Sequence, residues 1–290
     1  MAGPGMGDDR SVGSRPGEAR PAALRSFHHG DFEVTTLVAA RAGRRVAVCI
    51  PARNEARTVG PIVSRVRESL TRDAGGADLV DDIVVIDDGS HDDTAAVASR
   101  AGARVIAAST VGGGKGQAMA RALDETDAEL LVFLDADVEN FAAHYVTGLL
   151  GPLLLESGPA SPDVALVKGF YERPLHGEKG AGGRVTELVA RPVIDLLFPH
   201  LSAVRQPLAG ETAAPRTVLE KTGLAPGYGV ELALLIDVAE QFGVEQVTQV
   251  DLGVRVHRNR PLTELRPQAT DVLGAALRRA GVTTARRAGP

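Results

Sequence analysis

The chain has 290 residues, a length for one large domain or two small ones, and its 32 Lys and Arg against 37 Asp and Glu leave a net charge of −5. That balance gives no global field for nucleic acid or an anionic membrane, and aromatics at 3% without Trp exclude a stacking platform for single strands. One cysteine, Cys49, excludes a disulfide framework or a multi-cysteine metal site; with no membrane-length apolar run and no apolar signal core, a soluble cytoplasmic protein is the expectation.

Residues 1–25, rich in Gly, Pro, Arg and Ala, read as a disordered tail. Asp31 is placed as the N-cap of a helix on which Val34, Leu37 and Val38 share a face. Val46–Ile50 reads as a buried strand, followed by a helix carrying Val59, Ile62, Val63, Val66 and Leu70 on one face. Ile83–Ile86 is a second strand, after which Ser90 is read as the N-cap of a short helix ending at Arg100, with Asp93 three residues on. A strand at Arg104–Ile106, a helix over Gly116–Asp124 and a strand at Leu130–Leu134 complete an alternation of uniformly apolar strands and helices. That alternation predicts an α/β fold with a doubly wound, mostly parallel sheet covered on both faces, binding its ligand at the strands' carboxyl ends.

The second half is less regular. Val164–Val167 reads as a strand, and a glycine-rich loop over Gly177–Gly183 precedes a helix from about Val185 that Pro192 kinks or splits. Tyr228–Phe242 is the clearest helix, stopped by Gly243. Gln246–Val256 reads as a strand and Pro261–Leu277 as a closing helix. With no linker between the halves, the expectation is one domain over 26–280, about 45–137 binding nucleotide and about 138–280 binding acceptor, and a frayed tail over 281–290.

Polar loops follow several of these strands. Asp135-Ala-Asp137 puts two carboxylates at a strand's carboxyl end, where both can address one divalent cation, or form an ordinary surface turn. Pro51-Ala-Arg-Asn-Glu55 and Asp87-Asp-Gly-Ser90 offer groups for a nucleobase or ribose, and equally ordinary turn and cap chemistry. Gly112-Gly-Gly-Lys-Gly116 before a helix suits a phosphate or simple loop flexibility, and it is not a P-loop, because Gly116 stands where Ser or Thr is required. Gly182-Gly-Arg-Val-Thr186 offers backbone N–H groups, a guanidinium and a hydroxyl to an anionic acceptor. Arg255, His257 and Asn259 share a strand face by the period-two rule, and His257 is either a cation ligand or a structural histidine. Glu231 enters an apolar helix either as a cap or as a ligand-orienting group.

In this order, Pro51-Ala-Arg-Asn-Glu55, Asp87-Asp-Gly-Ser90, Lys115 and Asp135-Ala-Asp137 resemble the nucleotide-sugar glycosyltransferases of the GT-A fold. Val167-Lys-Gly-Phe-Tyr171, Gly183-Arg-Val-Thr-Glu-Leu188, Ala225-Pro-Gly-Tyr-Gly-Val-Glu231 and His257-Arg-Asn-Arg-Pro-Leu262 are more specific, and resemble the actinobacterial glucosyl-3-phosphoglycerate synthases. The likeness covers roughly residues 30–277. One departure is the glycine-rich loop before Arg184, shorter than the family's usual form and carrying Glu178 and Lys179.

The resemblance implies a homodimeric, metal-dependent transferase moving glucose from UDP-glucose to the 2-hydroxyl of 3-phosphoglycerate with retention. It implies a donor site of Pro51, Ala52, Glu55, Asp87, Ser90, Lys115, Asp135, Tyr228, Glu231 and Arg255. Asp137 and His257 would hold Mg²⁺ or Mn²⁺; Gly183, Arg184, Thr186 and Asn259 would hold the acceptor. Asp135, Asp137, Glu231 and Arg255 are the implied catalytic set. Two alternatives stay open. One is a related transferase using GDP-mannose or GDP-glucose, or a polyprenyl phosphate acceptor. The other is a non-catalytic nucleotide-sugar binding protein.

Overall fold

The computed structural model describes residues 24–108, 113–156, 163–173, 183–256 and 262–283. His257, Asn259, the greater part of the loop before Arg184 and most of both expected tails lie outside the described residues.

The first half follows the alternation read from its apolar runs: β2 (Val46–Ala52), α2 (Val59–Leu70), β3 (Asp82–Asp87), α3 (Thr94–Arg100), β4 (Arg104–Ala107), α4 (Lys115–Glu125) and β5 (Leu130–Phe133). Ahead of it come β1 (Arg25–His28), a 3-10 turn over His29–Asp31 and α1 (Val34–Arg41). After it come α5 (His144–Leu155), β6 (Leu166–Glu172), α6 (Arg191–Leu197), β7 (Thr212–Pro215), α7 (Arg216–Thr222), α8 (Val230–Phe242), β8 (Val247–Val254) and α9 (Leu262–Arg279). Among the described residues one sheet takes all eight strands in the order β1-β8-β6-β7-β5-β2-β3-β4, and β7 is antiparallel to both its neighbours while the other pairs are parallel.

Strand parity explains the uniformly apolar runs. Val46, Val48 and Ile50 of β2 enter one buried cluster with Leu37 of α1, Ile62 of α2 and Leu149 of α5. Ala47 and Cys49 enter the other, with Met119 of α4, Leu219 of α7 and Leu235 of α8. Successive side chains of a strand point to opposite faces, so a sheet covered on both has no polar position to give.

Several local expectations are corrected. Arg25, assigned to the tail, begins β1 by pairing parallel with Thr248. Asp31 does not cap α1; its Oδ2 accepts the His28 backbone N–H and closes the 3-10 turn. Ser90 does not cap α3, whose cap position is Asp93; instead it closes the Asp87 turn. The strand read as reaching Val256 ends at Val254, so the period-two argument does not extend from Arg255 to His257 and Asn259. Besides β1, three elements had no counterpart in the sequence reading. α5 is buried almost all round, Tyr145 to Leu154, and offers no amphipathic period. β7 and α7 are short and follow one another at Pro215. Pro192 neither kinks nor splits a plain helix: a π-helical turn over Thr186–Ala190 runs into α6 with Pro192 at its first turn, where a missing N–H is cheap.

Candidate functional site

In a mostly parallel sheet the strand ends gather side chains on one side. Here the carboxyl ends of β2, β3, β5, β6 and β8 meet the amino end of the reversed strand β7. Between them lies a cleft of about 250 Å³. Its walls include Pro51 and Ala52 at the end of β2 and Glu55 beyond it, Lys115 at the start of α4, and Asp135 and Asp137 after β5. They also include Gly183 and Arg184 before the π turn and Thr186 at its start, Tyr228 and Glu231 around the start of α8, and Arg255 after β8.

Asp87 and Ser90 are not lining residues. The Ser90 hydroxyl donates to Asp87 Oδ1, and Ser90 Oγ accepts the Asn54 N–H at 2.9 Å. Asn54 Oδ1 in turn accepts the His91 N–H at 2.8 Å. These bonds hold Asn54 at φ 58, a left-handed conformation that a short polar side chain tolerates. The cleft is lined instead by the neighbouring Asp88, which is 5% exposed and accepts the Gly114 N–H at 3.2 Å. Asp88 Oδ1 has no hydrogen-bond partner among the described residues, a buried acceptor left for a ligand.

At the centre stands a charge network. Lys115 Nζ donates to Asp135 Oδ1 and, at 2.7 Å, to Glu231 Oε1. Glu231 is therefore an ion-pair partner rather than the cap of α8, whose cap position is Gly229. Arg255 Nη1 reaches Asp135 Oδ2 at 2.9 Å and Glu211 Oε1 at 2.8 Å; its Nη2 donates to Asp137 Oδ1 at 2.5 Å. Burial opposes the charge on Asp135, yet Lys115 and Arg255 hold its carboxyl well below the usual carboxylate range. Burial likewise opposes the Lys115 ammonium, and Asp135 and Glu231 raise its pKa nonetheless. Packing leaves no slack here: a Cβ on Gly210 would overlap both Asp135 Oδ1 and Lys115 Nζ, and one on Gly116 would overlap the Ala225 carbonyl oxygen.

Sequence reasoning missed several members. Glu211 is wholly buried at the start of β7, where burial raises its carboxyl pKa against the pull of Arg255, and it accepts the Tyr171 hydroxyl at 2.8 Å. Lys168, 2% exposed, donates to the Ala209 carbonyl at 2.6 Å, and burial pushes its ammonium down to about 8. Arg173 lines the cleft beside Gly183. Leu265, Gln268 and Val272 of α9 roof it. Glu211, Arg173 and the α9 residues lie in no motif read from the sequence; Lys168 lies in the Val167–Tyr171 motif, where no role was assigned to it, although a charged residue inside an apolar run was a signal.

The model of glycosyl transferase family 2 matches residues 47–153. The glucosyl-3-phosphoglycerate synthase of Mycolicibacterium smegmatis is 43% identical over 268 residues, 89% of this chain and 85% of the relative. The synthase of Petrotoga mobilis is 40% identical, over 88% of this chain and 80% of that one. A crystal structure of the Mycobacterium tuberculosis synthase in complex with phosphoglyceric acid superposes with a TM-score of 0.81 at 40% identity, covering 90% of this chain and 89% of that one. Another, in complex with Mn²⁺, UDP-glucose and phosphoglyceric acid, gives 0.79 at 42% identity over 90% and 89%.

Proposed function

The chain belongs to the glucosyl-3-phosphoglycerate synthases, and from that membership we propose how its residues share the transfer of glucose from UDP-glucose to 3-phosphoglycerate. The observation that carries the reading is that the Lys115–Asp135–Arg255–Asp137 charges and the Gly183, Arg184 and Thr186 group line the same cleft. The first set suits a sugar diphosphate; the second suits an acceptor bearing a carboxylate and a phosphate.

Pro51, Ala52, Glu55 and Asp88 bind uridine, with the Asp87–Ser90 pair fixing the loop behind them. Lys115, Tyr228 and Arg255 face the donor, and Asp135 and Glu231 address the sugar. Structures of the family hold Mg²⁺ or Mn²⁺ with UDP. Asp137 fits such a cation: it is an oxygen donor that already faces the positive Arg255 guanidinium. Among the described residues no group of three His, Cys, Asp or Glu stands ready to hold a metal, so the reading gives the remaining places to His257 and the diphosphate. The bound cation offsets negative charge gathering on the leaving UDP.

In this reading retention at the anomeric carbon of glucose comes from front-side attack by the acceptor's 2-hydroxyl, without a protein nucleophile. Asp135 is engaged by Lys115 and Arg255, and Glu231 by Lys115. Arg184 and Thr186 line the cleft where this reading sets the acceptor, with Asn259 assigned to it by the family resemblance alone, on the leaving group's own face, where a phosphate oxygen of the departing UDP takes the hydroxyl proton. The enzyme works in this reading as a cytoplasmic homodimer. Leu188 and Leu196, 74% and 80% exposed beside and on α6, supply an apolar face for a second copy. Leu196→Glu is expected to shift the mass by light scattering from dimer to monomer.

Measuring donor and acceptor affinity separately on Arg184→Ala tests the division of the cleft. Acceptor use is expected to weaken about ten- to a hundredfold, with UDP-glucose affinity nearly unchanged and Lys at 184 restoring only part, since it lacks the bidentate fork. Loss of donor binding with acceptor binding intact overturns the assignment.

A further inference from the structure

The acceptor assigned above carries a carboxylate and a phosphate, more negative charge than one arginine balances. The cations lining the cleft differ in what they already face. Lys115 is paired with Asp135 and Glu231, Arg255 with Asp135, Asp137 and Glu211, and Arg53 lies 3.9 Å from Asp88. Arg173 stands apart from these. Among the described residues, its polar partner is a neutral phenol: Nη2 donates to the Tyr171 hydroxyl at 2.6 Å, and the guanidinium carbon lies 4.8 Å from that ring's centroid. Its Nε is buried with no hydrogen-bond partner among the described residues.

The placement is fixed by the sheet. Arg173 follows the last residue of β6, and the neighbouring β8 ends beside it, where the Arg255 N–H donates to the Glu172 carbonyl at 2.9 Å. The guanidinium is thereby turned toward the π turn. A Cβ on Gly183 would stand 3.7 Å from Arg173 Nη1 and 3.7 Å from Thr186 Oγ1. So Arg173 Nη1, the Gly183 backbone and the Thr186 hydroxyl meet at one place in the wall that also holds Arg184.

On the reading of the cleft given above, we infer that Arg173 is the second arginine of the acceptor site, pairing with the acceptor's phosphate beside Arg184 and setting the preference for phosphorylated over unphosphorylated glycerate. A half-buried guanidinium held by a phenol and a ring face is pre-oriented, and it gains its full value when an anion supplies the missing charge. A site built to bond a substrate group also rejects the analogue lacking that group, because its own donors are then left unpaired.

The test compares 3-phosphoglycerate with D-glycerate as acceptors, at saturating UDP-glucose and Mn²⁺, in the wild type, Arg173→Gln and Arg173→Lys. In Arg173→Gln the ratio of kcat/KM for 3-phosphoglycerate to that for D-glycerate is expected to fall about tenfold or more, mainly through KM. Arg173→Lys should recover part of it. The melting shift produced by UDP with Mn²⁺ should stay within a degree or two of wild type, showing an intact donor side. Equal losses with both acceptors place Arg173 on the shared carboxylate and overturn the inference. A rise in the KM for UDP-glucose also overturns it, by making Arg173 a prop for Tyr171 and Arg255. Wild-type protein that glucosylates neither acceptor overturns the reading beneath, and is seen before any variant is assayed.

Discussion

The two sides of the cleft are built by different means. On the β2–β3 side, each polar side chain is positioned by residues of its own loop or the next. Ser90 meets Asp87, Asn54 meets His91, and Thr94 takes the Glu55 N–H at 2.8 Å. On the β6–β7–β8 side, Tyr171, Glu211 and Arg255 come from three strands and meet Asp135 from a fourth. The first arrangement is a set of turns that tolerates the loss of one bond. The second is a buried ionic network, in which removing one member strands the charge of another.

That contrast is broken or sharpened by four single substitutions and one double variant. The largest effect is expected from Arg255→Met, which leaves Glu211 wholly buried and without its cation. Stability should fall by about 3–5 kcal/mol in denaturant melts, with turnover lost. The double variant Arg255→Met, Glu211→Met should recover much of the stability and none of the turnover. A single variant as stable as wild type would show that the network is not structural.

Asp137→Asn comes next. Metal-dependent UDP binding should fall about ten- to a hundredfold by calorimetry, and chelation of the wild type should reproduce the loss. Unchanged binding with Mn²⁺ would remove Asp137 from the cation site. On the other side of the cleft, Ser90→Ala removes two loop hydrogen bonds, to Asp87 and from the Asn54 N–H, each worth roughly 0.5–1.5 kcal/mol. UDP affinity should weaken about tenfold at most and the melting temperature should fall by a few degrees only; a collapse comparable to Arg255→Met would erase the distinction.

The smallest effect concerns Lys168. Its folded pKa, about 8, lies below the ordinary lysine value, so the unfolded chain binds more protons between those two points. Stability from this group therefore rises as pH climbs from about 8 toward about 10.5. Lys168→Met lacks that gain, so the melting temperature of wild type relative to the variant should increase across the same window. A gap independent of pH would show that the ammonium is not desolvated.

The same contrast explains what was legible in the sequence. The strands β2, β3 and β5 and the carboxylates after them are readable because an apolar run and the turn that follows are neighbours in the chain. Asp135 and Asp137 announce themselves this way, and so do Lys115 and Arg184, which stand among glycines. Glu211, Tyr171 and Arg173 carry no such mark, since what makes them part of the site is a sheet order that sets β7 between β5 and β6. α5 was hidden for another reason: a helix buried on every side has neither a polar face nor a period. Asp87 and Ser90, read from the tetrapeptide as donor groups, bond to one another while Asp88 lines the cleft, a matter of turn geometry within those four residues.

The reversed strand has a consequence for how the nascent chain matures. β2, β3 and β4 find their partners within one or two helices of emerging, whereas β5 keeps an unpaired edge until β7 has been synthesised. β1 waits longer still, since Arg25 pairs with Thr248 near the other end of the chain. Vectorial synthesis therefore presents a half-sheet whose β5 margin stays open and apolar from Phe133 until Thr212 has emerged, the kind of edge on which other chains template themselves. The cleft's charges can assemble only when that margin closes, so the acquisition of chemistry and the disappearance of the aggregation-prone edge are the same late event.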